Sequence, residues 1–486
     1  MTAPPHMPET GSFSQFLRRV GEALDTFERY DQPDPMTRAN EWTAALAGSL
    51  PEDGVGAEAT IAELVDVIVP NGQRIADPRF SGFITAAPST VPLVAATAAM
   101  LASPQRQTLS AFHLIEEQSL EWLAELCGLR PHMKGVYATG GSVANLLAMG
   151  AARQWAFARA GLDAGADGLG SQRVAIYASV EAHHTIQRAA GVLGLGRRCV
   201  RPIPVDDHMC IDVDELRAAL VAGRGGGVLP VAVVATAGTT NTGAIDPLRA
   251  CGELAAEFGA WFHVDGAYGL PASLDPRVAP LFDGLELADS AIVDPHKWLG
   301  APVGVAAAFV RDRSQLFGAF TQEPADYLEG SFTGDVECSF DSLGVPYADM
   351  TVELSSPARG VTVWSLLKEQ GRFGVAARIQ RDIDYARTVH HLATEHPRLQ
   401  SLLEPQLSVA TIRYVGNPSM SHRELDELNR VLHRRLIRET RYLPSTTTVR
   451  GVFTIRPCFV NTRTTPEHVT GLVDEIVRIG DQLAGA

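Results

Sequence analysis

The sequence predicts an α/β protein: a mainly parallel seven-stranded sheet covered by helices on both faces, followed by a smaller α+β domain. Three observations carry this. At 486 residues the chain can bury a large core and should hold more than one domain. From about residue 90, short apolar runs alternate with stretches of helical period, the pattern of βα units. After about residue 365 that alternation gives way to half-exposed strands and amphipathic helices.

The first element carries Phe13, Phe16, Leu17, Val20, Leu24 and Phe27 at helical spacing. A helix with a whole apolar face, set ahead of the main domain, is expected to pack on a second subunit. Residues 1–88 therefore read as an N-terminal helical segment that wraps a dimer mate, 89–365 as the large domain and 366–486 as the small one. The seven strand candidates are "GVYAT" (135–139), "RVAIYAS" (173–179), "RCVRPIPV" (198–205), "VLPVAVVATAG" (228–238), "WFHVDG" (261–266), "DSAIVD" (289–294) and "GVAAAFVR" (304–311). Helical stretches such as "DELRAALVAG" (214–223) and "LRACGELAAEFG" (248–259) lie between them. In the last domain "LSVATIRYV" (407–415) alternates like a half-exposed strand, and "GVFTIRPCFV" (451–460) is another. Ser421 and Glu424 form a capping box, and Pro466 sits in the first turn of the closing helix.

Charge excludes some partners. Against 41 basic side chains stand 56 acidic ones, a formal charge of −15, so no basic stripe is on hand for phosphates of nucleic acid or for anionic lipid. The apolar run at 91–102 stops short of the roughly 18 to 20 residues of a membrane span. The N-terminus shows no basic stretch followed by an apolar leader. Six cysteines are scattered without a CxxC pair and read as reduced thiols. The expectation is a soluble cytoplasmic enzyme with no nucleic-acid, membrane or metal partner.

In sheets of this kind ligands sit beyond the carboxyl ends of the strands. The first strand leaves through "TGGSVANLLAMGAAR", where Gly140 and Gly141 allow close approach and Ser142 stands at a helix start: a phosphate cradle, or a plain strand-to-helix turn. The second leaves through "SVEAHHTIQRAAG"; the pair His183-His184 has no accompanying ligand pattern, which favours structural roles over metal. Thr236 ends the strand before "AGTTNTG". Asp265 ends an otherwise apolar strand, and Asp294 ends the next, with Lys297 three residues beyond. A buried carboxylate and a buried ammonium each need a partner. One reading pairs Asp265 with Lys297 in a structural salt bridge. The other takes the set together: phosphate cradle, stackable imidazole, buried Asp and a Lys at the strand exits of one sheet fit pyridoxal phosphate, with Lys297 in the Schiff base and Asp265 on the pyridine nitrogen.

With "DPHKWLG" (294–300), "HVDGAYG" ending its Asp 32 residues before the Lys, and "EAHHTIQRA" upstream, the chain resembles the group II pyridoxal-phosphate-dependent amino-acid decarboxylases, the family of aromatic-amino-acid, histidine and glutamate decarboxylases. The likeness runs from about "ADPRFSGFITAAPST" (76–90) into the C-terminal domain. It implies the fold-type I architecture of the aspartate aminotransferase kind and a homodimer with sites at the interface. It implies Lys297 as the cofactor lysine, Asp265 as the pyridinium partner, His183 as the imidazole stacked on the ring, Gly141 and Ser142 as phosphate ligands, and Thr236 as a further cofactor contact. Asp294 and His296 belong to the same motif, but Asp294 stands where the aromatic decarboxylases often carry Asn, and an acid there would repel a phosphate. Phe83, Ile84, Phe112 and His113 match substrate-pocket regions; for each Phe, core packing is the alternative. Tyr347, twelve residues before Arg359, matches the spacing of a loop Tyr that protonates the substrate carbon, with Tyr327 as its rival.

The activity so implied is decarboxylation of an L-amino acid to its amine and CO2. An oxidative deaminating aldehyde synthase on the same scaffold and a non-catalytic cofactor-binding partner protein are the alternatives. Apolar walls favour an aromatic or aliphatic substrate over an acidic one.

Overall fold

Seven apolar runs pair into one sheet, and the common direction of six of them is what builds a site. The computed structural model describes residues 12–31, 35–85, 87–103, 110–129, 131, 133–321, 347–416 and 419–485. Contacts divide the chain into two units, Met1–Phe80 and Ser81–Ala486. In the first, helix α1 (Phe13–Phe27) starts at a capping box in which Ser12 and Gln15 exchange hydrogen bonds, and α2 (Ala39–Leu46) and α3 (Ala57–Glu63) follow. Phe13, Leu17 and Leu24 are exposed on α1.

The second unit begins with α4 (Thr90–Ala102) and α5 (Ala111–Leu126). The alternation then runs β1 (Lys134–Ala138), α6 (Gly141–Arg159), β2 (Val174–Ser179), α7 (Thr185–Val192), β3 (Val200–Ile203), α8 (Val213–Gly225), β4 (Leu229–Thr236), α9 (Leu248–Phe258), β5 (Trp261–Asp265), β6 (Ser290–Val293), β7 (Ala306–Val310) and α10 (Ser314–Phe320). Each of the seven strands expected for this sheet is present, with ends within two residues of the sequence reading; the strand expected over 451–460 in the last domain ends at Arg456. The sheet order is β1-β7-β6-β5-β4-β2-β3. Pairing is parallel from β3 through to β6, and antiparallel where β7 meets both β6 and β1. Because β1 is reversed twice relative to β6, β1 to β6 all point the same way and β7 alone opposes them. Six strand exits therefore share one edge. Strands β5, β6 and β7 are buried throughout, as expected of strands covered on both faces.

The smaller domain holds α11 (Gly360–Glu395), interrupted at Gly371, which adopts φ +61°, then β8 (Leu399–Ser401), β9 (Ile412–Tyr414), α12 (His422–Glu439), β10 (Leu443–Val449), β11 (Val452–Arg456) and α13 (Pro466–Ala484). Its sheet includes the antiparallel run β10-β11-β9-β8. The strand expected over 407–415 is shorter than the alternation suggests. The Ser408 N–H donates to the Tyr268 hydroxyl at 3.0 Å, and Val409 makes only an isolated bridge to Cys458, so the ladder starts at Ile412. The capping box at Ser421 and Glu424 forms as read. No helix of the described residues is long and apolar enough to cross a membrane.

Candidate active site

At the shared edge the exits of β1, β2, β4, β5 and β6 surround a cavity of about 370 Å³. That is the volume class of small-molecule and cofactor sites. The turn from β1 into α6 supplies Gly140, Gly141 and Ser142. The first helical bonds there run from the N–H groups of Val143 and Ala144 to the Gly140 carbonyl, so the N–H groups of Gly141 and Ser142 lie ahead of them. A Cβ on Gly141 would stand 2.6 Å from Asp294 Oδ2; only glycine lets the helix end come this close to the β6 exit.

Lys297 follows β6 in a turn closed by its N–H to the Asp294 carbonyl at 2.9 Å. Its Nζ lies 3.1 Å from Asp294 Oδ2. The ion-pair partner is thus the neighbouring aspartate and not Asp265, which corrects the salt bridge that the sequence allowed. Asp265, also buried, accepts from Asn145 Nδ2 at 3.0 Å and from the Ala267 N–H at 3.2 Å. His183 lines the cavity with Nδ1 turned to Thr185, whose Oγ1 is 2.9 Å away, and its ring lies 4.1 Å from that of His184. Burial is the main influence on His183 and lowers its pKa, so the ring is held neutral. His296 donates from Nδ1 to the Val305 carbonyl and leaves Nε2 at 3.7 Å from Asp294, beyond hydrogen-bond reach.

The β4 exit is pinned by a carboxylate. Asp246 accepts the Thr236 N–H and the Ile211 N–H, each at 2.7 Å, and burial pushes its carboxyl up to about 7. Thr236 Oγ1 and Asp294 Oδ1 are buried and have no protein partner. Orphaned polar atoms on a cavity wall ask for a ligand. Two free helix-start N–H groups, the Ser142 and Thr236 hydroxyls, an amine and a buried carboxylate around one cavity suit a phosphorylated aldehyde with a basic ring nitrogen. Among the described residues no group of three or more His, Cys, Asp or Glu could hold a metal ion.

Comparison with known proteins agrees with this chemistry. Residues 42–415 match the pyridoxal-dependent decarboxylase conserved domain. The chain belongs to that family. It is 31% identical over 374 residues to an aromatic-L-amino-acid decarboxylase of Bacillus atrophaeus, covering 76% of this chain and 74% of the relative. It is 29% identical over 433 residues to tryptophan decarboxylase 1 of Oryza sativa subsp. japonica, covering 85% and 82%. A crystal structure of Oryza sativa TDC with PLP and tryptamine superposes with a TM-score of 0.86 at 25% identity, covering 99% of this chain and all of that one. The protein is a pyridoxal-phosphate-dependent amino-acid decarboxylase of fold type I.

The structure gathers Gly141, Ser142, His183, Thr236, Asp265, Asp294, His296 and Lys297 around one cavity. Other expected residues of the decarboxylase lie elsewhere. Phe83 is 69% exposed and stands outside its own chain's cavity lining. Ile84 packs on the main core, and Phe112 packs with Ala99, Ala358 and Val361. His113 is buried with its ring 5.8 Å from that of Tyr347. Tyr347 itself is a core residue. Its hydroxyl donates to Glu117 Oε1 at 2.7 Å, outside the cavity lining, and burial raises its pKa far above the usual phenol range. Tyr327 lies outside the described residues. The sequence reading passed over Asn145, Thr185, His263 and Tyr268. Asn145 stands three residues after Ser142, and His263 two residues before Asp265, so helix and strand periodicity each offered a signal.

Replacing Tyr347 by Phe should therefore act on stability alone. The loss of one hydrogen bond to a carboxylate is expected to cost about 1.5 kcal/mol, seen as a lower Tm by calorimetry, while the ratio of amine to CO2 stays at the wild-type value.

Proposed function

We propose that this decarboxylase holds pyridoxal phosphate through the Lys297 ε-amine and converts an L-amino acid with a neutral side chain to its amine and CO2. The supporting observation is the meeting of Lys297 and Asp265 in one cavity whose wall carries the unpartnered Thr236 Oγ1. When bound, the cofactor supplies an aldehyde that takes up the substrate amine and a ring that accepts the electron pair left by departing CO2. The first turn of α6, with the Ser142 hydroxyl, would receive the phosphate, and Thr236, in register beside Asp265, would make a further cofactor contact. Asp265, held by two N–H donors, keeps acceptor capacity for a protonated ring nitrogen. His183, neutral and turned by Thr185, offers its flat ring as a wall. In the net reaction the carboxylate leaves Cα as CO2 and one proton takes its place.

The side-chain preference follows from charge. Among the described lining residues Lys297 is the sole Lys or Arg, and Val143, Ala267, Tyr268 and Val303 contribute apolar surface. An acidic side chain would find no guanidinium there. Assembly follows from surface: Val91, Leu93, Val94, Met100 and Leu101 are exposed along α4, as are Phe13, Leu17 and Leu24 along α1. A second copy would cover such faces, and in that homodimer Phe83 is available to the mate. Sedimentation should find a dimer; a fully active monomer overturns this part.

A screen of the cofactor-loaded protein against the common amino acids, reading CO2, amine, aldehyde and peroxide together, tests the reaction. Equal CO2 and amine from a neutral amino acid is expected; aldehyde with peroxide in place of amine would mean an oxidative deaminase. Borohydride reduction should fix the cofactor on the peptide containing Lys297, and Lys297→Ala should abolish turnover. A label on another lysine overturns the assignment. Asp294→Asn removes a negative charge from the phosphate's surroundings, so cofactor affinity should rise by roughly three- to tenfold, measured by equilibrium dialysis.

A further inference from the structure

Behind Asp265 and His183 runs a buried chain of side chains whose hydrogen bonds can be given a direction. Trp261 Nε1, which can only donate, gives to Ser290 Oγ at 2.7 Å. Ser290 Oγ lies 2.8 Å from His263 Nδ1; because Asn145 must turn its amino group to the accept-only Asp265 carboxylate, its Oδ1 faces His263 Nε2, which leaves Nδ1 as the acceptor of the Ser290 proton. His263 then carries its proton on Nε2 and donates to Asn145 Oδ1 at 2.9 Å. The Asn145 amino group meets its two remaining neighbours, Asp265 Oδ2 at 3.0 Å and Thr185 Oγ1 at 3.1 Å. Thr185, having accepted, donates its hydroxyl proton to His183 Nδ1 at 2.9 Å. Asn145, His263, Ser290, Trp261 and Thr185 are each at most 2% exposed, and only the last link, from Thr185 to His183, is part-buried.

We infer that Asn145 is a positioning residue that ties Asp265 and His183 into one hydrogen-bonded unit, oriented from behind by the chain Trp261–Ser290–His263. The placement follows from the fold. His263 and Asp265 are two apart in β5 and share a face. His263 is in register with Ser290 of β6. Asn145 sits in the first turns of α6, which packs on both strands. Burial pushes His263 down to about 4, so the ring is neutral near pH 7 and its partners at the two nitrogens select the tautomer. The consequence for the site is twofold: Asp265 is held aimed at the cavity without a cationic partner, and His183 keeps its proton on Nε2. The inference rests on reading Asp265 and His183 as the cofactor's partners.

Nitrogen-15 NMR of the cofactor-free protein tests the chain directly, and it needs no variant. His263 and His183 should both appear as Nε2–H tautomers; His263 protonated on Nδ1 overturns the inference. In Asn145→Ala the His183 tautomer should become mixed, and kcat with the amino acid turned over in the screen should fall about tenfold, the loss typical of an outer partner, with KM little changed. A folded Asn145→Ala with an unchanged His183 tautomer overturns the proposal. Should that variant not fold, Ser290→Ala serves instead: it should mix the His263 tautomers, and a single unchanged tautomer is again fatal. Asp265→Ala separates the two levels. Loss of kcat in Asp265→Ala with none in Asn145→Ala ends the positioning role and leaves the reading of Asp265 standing; no loss in either ends both.

Discussion

A carboxylate buried at the end of an apolar strand is the constraint on which the site depends. Asp265 closes β5, whose five residues are all buried, and an ionised group taken out of water there costs several kcal/mol unless donors meet it. The protein meets it with amide N–H groups rather than with a cation. A cation would neutralise Asp265 inside the wall; two neutral donors stabilise the charge and leave it able to accept again. That choice requires a carboxamide to arrive from α6, and it requires the carboxamide to be held the right way round.

The sheet's strand order makes the arrival possible. With β7 reversed between β6 and β1, the β1 and β6 exits share an edge about 10 Å apart, two strand spacings. The start of α6 then lies against the turn after β6 so closely that only glycine fits at 141. One helix thereby sets Gly141 against the Asp294 side chain and, one turn further on, brings Asn145 to Asp265. Both ends of the cavity are thus positioned by the same rigid element.

Charge in the cavity is arranged locally. Lys297 finds its counter-ion three residues away, in the same turn, so the pair forms whatever the remainder of the sheet does. This leaves Asp265 free of it. The buried Tyr347 shows the opposite case: a residue at a suggestive spacing is drawn by Glu117 and the core into a structural role.

Much of this was legible in the residues. Strand and helix periods and the polar residues ending Val-Asp and Ile-Val-Asp runs are local patterns, so the seven strands and the strand-exit residues Asp265, Asp294 and Lys297 could be read from the sequence, while Gly141, Ser142, His183 and Thr236 were singled out only by the family resemblance. What tertiary structure decided is which polar group meets which. Asn145 and Asp265 are 120 residues apart, and Tyr347 and Glu117 are 230 apart. Such pairings depend on strand order and helix approach, which no local period encodes. The sequence by itself determined the elements and the chemistry offered at their ends; the packing of α6 across β5 and β6 decided that Asp265 is held by an amide, and the approach of Tyr347 to Glu117 of α5 decided that Tyr347 belongs to the core.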